Sequence, residues 1–112
     1  MCADGVASAS TGTTRAASAV LRVVSDPLRA RILELLAVEQ QCTCHLQEAL
    51  GAKQTLITHH LTALREAGLV TSEAQGRFTY YRLVPGAFDA AVASLAALQE
   101  ASRRELPRRP CP

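Results

Sequence analysis

The sequence predicts a mainly α-helical fold carrying one β-hairpin, and two adjacent stretches carry that prediction. The first, from Cys42 to Leu69, is CTCHLQEALGAKQTLITHHLTALREAGL, which reads as two short helices joined by a tight turn at Gly51. That is the pattern of a helix-turn-helix. Directly after it, LVTSEAQGRFTYYRLV holds two β-rich runs around Gln75-Gly76-Arg77, a hairpin signal. A helix-turn-helix followed by a hairpin makes a winged helix, so the expected order is four helices, a two-stranded wing and a fifth helix.

Composition bounds the rest. At 112 residues the chain is expected to form one domain. It has two Phe, two Tyr and no Trp, so Leu, Val, Ile and Ala must fill the core. Small cores of this kind are often completed across a dimer interface. A net charge of +2 is too small to specify a nucleic-acid partner. The distribution says more, because Lys53, Arg65, Arg77 and Arg82 fall in or beside the fourth helix and the wing. No apolar run approaches the ~20 residues of a membrane span, and the N-terminus lacks a basic segment followed by a hydrophobic one. A cytoplasmic protein with no membrane partner is expected. Four cysteines in a reducing compartment are thiols or metal ligands sooner than a disulfide framework.

The elements follow in order. Residues 1–13, MCADGVASASTGT, are small and polar and are expected to form a mobile arm carrying Cys2. From about Thr14 to Ser25, Ala16, Val20, Val23 and Val24 give a first helix its apolar positions. Asp26-Pro27 restarts the chain, since Asp caps a helix and Pro fits a first turn where no donor is needed. Leu28, Ile32, Leu35 and Leu36 form the inward stripe of this second helix, expected to end near Glu39. Thr43 is the expected N-cap of the third helix, which buries Leu46 and Leu50 and stops at Gly51. The fourth, from about Gln54 to Ala67, sets Ile57, Leu61 and Leu64 inward and leaves Thr55, Thr58, His59 and Thr62 outward. After the wing, PGAFDAAVASLAALQEASRRE reads as a long helix with Phe88, Val92, Leu95 and Leu98 on one side. Its alanine-rich surface allows close approach of another helix. The expected folded domain spans residues 14–104, and the Pro-rich basic tail, residues 105–112, is expected to be disordered and carries Cys111.

The combination CTCHL, QTLITHHLTALREAGLV and QGRFTYYRL resembles the ArsR/SmtB family of metal-responsive bacterial repressors, over roughly Asp26 to Leu83. The resemblance implies a homodimer formed through the first and last helices, bound to double-stranded operator DNA. It places Gln54, Thr55, Thr58 and His59 at the groove-facing positions and Arg77 at the basic tip of the wing. The chemistry of these residues agrees: Gln pairs with adenine through two hydrogen bonds, hydroxyls serve base or phosphate, and Arg enters a minor groove or holds phosphate. Members of the family often have Ser where this chain has Lys53; the change gives up a helix cap and gains a phosphate contact. A two-fold dimer reads an inverted repeat, its recognition helices a multiple of one helical turn apart, about 34 Å. His60 lies near the apolar stripe and is expected to be a packing residue with a satisfied nitrogen.

Cys42 and Cys44 are the chemical feature. Within a regular helix their side chains would diverge by ~200°. With Cys42 outside the helix and Cys44 on its first turn the sulfurs converge, at a helix terminus that favours the thiolate. Such a pair suits a soft, thiophilic ion. The resemblance implies As(III) or Sb(III) as inducer, with Cd(II) or Pb(II) the alternative. In the arsenic sensors this chain resembles, a third cysteine often follows three positions after the pair; here that position is Gln47. The third thiolate is then Cys2 on the arm or Cys111 on the tail, unless both are incidental thiols. His45, on the same helix, is expected to point away. The family's zinc and nickel sensors place Asp and His along the last helix, where this chain has only Asp89 and no His after residue 60.

The expected mechanism is negative allostery, in which ion binding reorients the recognition helices and weakens operator binding. A competing reading is a redox sensor of the same fold. A Cys42 to Cys44 disulfide would close a small, strained ring, so oxidation is expected to join one of them to Cys2 or Cys111. An enzyme is not expected, because no strand-helix-strand context accompanies the cysteine pair and no Ser/His/Asp or paired-carboxylate constellation is present.

Overall fold

The computed structural model describes residues 11–111. Five helices and three strands follow in the order α1 (Thr11–Val24), α2 (Pro27–Leu36), β1 (Gln41–Cys42), α3 (Thr43–Leu50), α4 (Gln54–Glu66), β2 (Val70–Gln75), β3 (Phe78–Leu83) and α5 (Asp89–Ser102). This is the winged helix-turn-helix read from the sequence, with one unforeseen strand. Cys2 lies outside the described residues, as does most of the expected arm. Residues 105–111 form neither helix nor strand and are exposed.

Helix boundaries follow local chemistry. Asp26 caps α2, its Oδ2 accepting the Arg29 amide at 3.0 Å, and Pro27 occupies the first turn. The helix ends at Leu36 with Ala37 as its C-cap, short of the expected Glu39. Gly51 ends α3 in the left-handed conformation, φ 65°, where a side chain would be strained. The wing turns at Gly76, φ 62°, between strands in register from Val70↔Leu83 to Gln75↔Phe78.

The core forms around α4. Ile57, Leu61 and Leu64 are buried with Ile32, Leu36, Leu46, Leu69 and Val70. In α1 the buried residues are Ala17 and Val20, whereas Ala16 is exposed. Val20, with Val23 and Val24 packed beside the core, holds the expected apolar face of α1, and only its first position differs, Ala17 in place of Ala16. On α5, Phe88 at the N-cap is half-buried, but Val92, Leu95 and Leu98 are 61%, 49% and 67% exposed, and Leu21 of α1 is exposed too. The single chain leaves that apolar face uncovered. Among the described residues no helix is long and apolar enough to cross a membrane.

The sheet is three-stranded, in the order β1-β3-β2. Gln41 pairs with Tyr81 and Cys42 with Tyr80, antiparallel. Two residues are too few to announce a strand in a sequence, yet they tie the entry of α3 to the wing.

Candidate DNA-reading face and thiol site

Burial of Ile57, His60, Leu61 and Leu64 fixes how α4 is rotated. Lys53, Gln54, Thr55, Thr58 and His59 are all exposed, and Arg77 is exposed in the wing turn. Thr62, expected outward, is half-buried. Lys53 is the N-cap of α4 in extended backbone, φ −69° and ψ 151°, and makes no side-chain cap hydrogen bond.

His60 is held from α2. Its Nδ1 accepts the Arg29 Nε–H at 3.0 Å, with Asp26 Oδ2 3.9 Å away. Burial pushes the His60 pKa down, which outweighs the upward pull of Asp26, and a neutral ring is what the Arg29 donor requires. Asp26 is itself held below the ordinary carboxylate range, chiefly by the Arg29 amide. His60 is therefore the packing residue with a satisfied nitrogen that the sequence suggested.

The entry of α3 is arranged differently from expectation in three ways. The N-cap is Cys42, φ −89° and ψ 170°, and Thr43 is the first helical residue. The pairing of Cys42 with Tyr80 extends the strand one residue further and displaces the cap accordingly. Secondly, Cys42 and Cys44 are joined as a disulfide, their Cα atoms 5.4 Å apart, within the 4.4–6.8 Å that disulfides ordinarily span. Extended backbone at Cys42 and helical backbone at Cys44 turn the two side chains toward each other, so the short loop is closed where a regular helix would hold them apart. A bond from this pair to Cys111 is not formed; Cys111 is a free, exposed thiol.

Thirdly, His45 does not point away. It sits at the third helical position and its ring folds back over the cap. There Nδ1 accepts the Cys42 amide at 3.1 Å and lies 3.3 Å from Cys42 Sγ. This is the backward-reaching half of a capping box, with His in the place usually held by Glu or Gln. The signal was the Cys-Thr-Cys-His spacing itself: a cap residue and a polar side chain three positions on. Cys42, Cys44 and His45 bring their donor atoms within 4.8 Å of one another, and Cys111 is not in that group.

Cys42 is buried and Cys44 exposed. Both line an open cleft of about 410 Å³ with Gln47, Gln54 and Thr58 on the helix side and Arg77, Phe78, Thr79 and Tyr81 on the wing side. The cysteine pair thus shares one cleft with three of the residues assigned to DNA reading. Only when this disulfide is reduced do Cys42 and Cys44 offer the thiolates that suit a soft ion.

A helix pair with a polar outward face, followed by a basic-tipped hairpin, defines the class of winged helix-turn-helix regulators. Comparison with known proteins narrows this. The sequence pattern of the bacterial regulatory proteins of the arsR family matches residues 26–72. The chain is 30% identical over 87 residues to the arsenical resistance operon repressor of Staphylococcus aureus, covering 78% of this chain and 84% of that protein. It is also 42% identical over 67 residues to the arsenic resistance transcriptional regulator ArsR1 of Pseudomonas putida, covering 59% of this chain and 52% of that one. A crystal structure of a possible transcriptional regulator for arsenical resistance superposes with a TM-score of 0.65 at 32% identity, covering 77% of this chain and 96% of that one. The chain belongs to the arsR family of bacterial regulatory proteins, which are transcriptional regulators and not enzymes. It spans about half the length of the Pseudomonas putida relative.

Proposed function

We propose that the protein is a dimeric transcriptional repressor that binds an inverted-repeat operator and lets go when As(III) or Sb(III) binds the thiolates of Cys42 and Cys44. The observation that carries the reading is the cleft in which the cysteine pair meets Gln54, Thr58 and Arg77. An ion seated there sits between the recognition helix and the wing, so it is coupled to both DNA-reading elements. Cys42 also belongs to the sheet through Tyr80, so a shift at the cap moves β3 and with it the wing. Gln54, Thr55, Thr58 and His59 read base edges, while Lys53 and Arg77 hold phosphate. The uncovered apolar residues of α1 and α5 form the two-fold interface. A third thiolate comes from Cys2 or Cys111. Cd(II) or Pb(II) is the alternative inducer, and arsenical resistance in the names of two relatives favours arsenic.

The test is operator binding by the reduced protein, followed by fluorescence anisotropy during an arsenite titration. Cys42→Ser and Cys44→Ser should bind operator as the unaltered chain does and stay bound in arsenite. Normal release in both variants sinks the sensor.

The juxtaposed sulfurs favour a second reading, in which oxidation is the signal. Two thiols reduce hydrogen peroxide, forming the Cys42–Cys44 disulfide and two waters. Release of DNA by peroxide in metal-free buffer, reversed by dithiothreitol, would distinguish it.

A further inference from the structure

We infer that Leu56, on the first turn of α4, reads the 5-methyl group of a thymine in the major groove. The inference rests on the DNA-reading face proposed above and deepens it, adding an apolar contact to the polar ones. Leu56 is 44% exposed although it adjoins the fully buried Ile57. Most other large apolar side chains left exposed lie away from that face: Leu21, Val92, Leu95 and Leu98 on α1 and α5, one in the turn after α2 and one in the tail. Among the described residues only Leu56 and Phe78 stand on the recognition helix and the wing.

A single exposed leucine is ordinary on a protein surface, so the position of this one carries the argument. At 3.6 residues per turn Leu56 lies about 200° around α4 from Thr58, on the flank away from the cleft that Thr58 shares with Arg77. It follows Thr55 directly and precedes His59 by one turn, and both of these are exposed. Helix-turn-helix proteins set the N-terminal residues of the recognition helix against base edges, so a helix that brings Gln54 and Thr55 there carries Leu56 in with them. Leucine can make no hydrogen bond in the groove. The apolar group that base edges show there is the thymine methyl, whereas cytosine offers an amine and guanine two acceptors that a leucine would strip of water. Gln54, two residues earlier, is a side chain that pairs with adenine, so both contacts favour A·T pairs.

The experiment selects binding sites from a pool of random DNA duplexes with the reduced full chain and with Leu56→Ala, which keeps a good helix former at an exposed position. The unaltered chain should enrich a thymine at one symmetry-related position of each half-site. Leu56→Ala should lose the preference there and keep the rest of the site. Replacing that thymine by deoxyuridine removes only the methyl group. By fluorescence anisotropy it should weaken the unaltered chain about 4-fold per half-site, the factor for returning one methyl-sized group to water, and leave Leu56→Ala unchanged. Leu56→Met, long enough to reach the same methyl, should keep most of the discrimination. An equal deoxyuridine penalty in the unaltered chain and in Leu56→Ala would assign the methyl to a threonine, and an identical selected site in both would put Leu56 outside the groove; either result overturns the proposal. Failure of the unaltered chain to enrich any sequence would instead refute the DNA-reading face on which it rests.

Discussion

Lys53→Ser should make the protein more stable and a poorer DNA binder at once. Lys53 stands at the N-cap of α4 in extended backbone that suits Ser, and it accepts nothing from the first turn. A serine hydroxyl there takes one of the orphan amides, a contribution of about 1 kcal/mol per subunit. For a domain of this size that raises the melting temperature by roughly 4–8 °C, measured by circular dichroism. On the proposed reading, in which Lys53 holds phosphate, the same change removes one such contact per subunit. The slope of log affinity against log salt should therefore become shallower by about 1.8 for a dimer, read by fluorescence anisotropy across a salt series. The two effects arise on one residue from separate physics, so they must appear together. An unchanged melting temperature would mean the α4 cap is satisfied in another way, and an unchanged salt slope would mean Lys53 does not touch phosphate.

Three further outcomes follow from burial and charge. Ile57 is fully buried on the inward face of α4, and Ile57→Ala should cost about 2–5 kcal/mol in urea unfolding, with DNA binding lost at temperatures where the variant melts. His60 has a folded pKa held below its ordinary value of 6.5, so its contribution is fully present above about that pH and is lost as pH falls toward the folded pKa. Unfolding titrations from pH 8 down to about 5 should show stability falling in that window, and His60→Gln should flatten the fall. Leu95→Glu places a charge on the uncovered face of α5, where Leu95 is 49% exposed in the single chain. Sedimentation should report a monomer that binds operator weakly; a stable dimer would put the interface elsewhere.

The sequence made the helix-turn-helix and wing legible because their signals are strong and local. Apolar spacing at Ile57, Leu61 and Leu64 fixed the inward face of α4, Gly51 and Gly76 marked turns that need positive φ, and Asp26-Pro27 marked a helix start. What escaped was set by partners distant in sequence. β1 is two residues long and exists because Gln41 and Cys42 meet Tyr81 and Tyr80. That pairing moved the cap from Thr43 to Cys42, while the convergence of the two sulfurs was already legible in the sequence. His45 was read as a helical side chain aimed outward; at a cap, its position three residues on lets it reach back to the amide. On α1, where Val20, Val23 and Val24 lie as expected, Ala17 rather than Ala16 is buried, on a helix that packs against the distant α5.

The central claim is that the thiol site and operator DNA are coupled through this one cleft. Linkage makes the coupling measurable from the ligand's side. Arsenite affinity of the reduced protein, determined with and without saturating operator, should be weaker on DNA by about 5- to 150-fold, the same factor by which arsenite weakens operator binding. Equal arsenite affinity for the free and the DNA-bound protein would contradict the account, since an ion bound equally well to both states cannot release either.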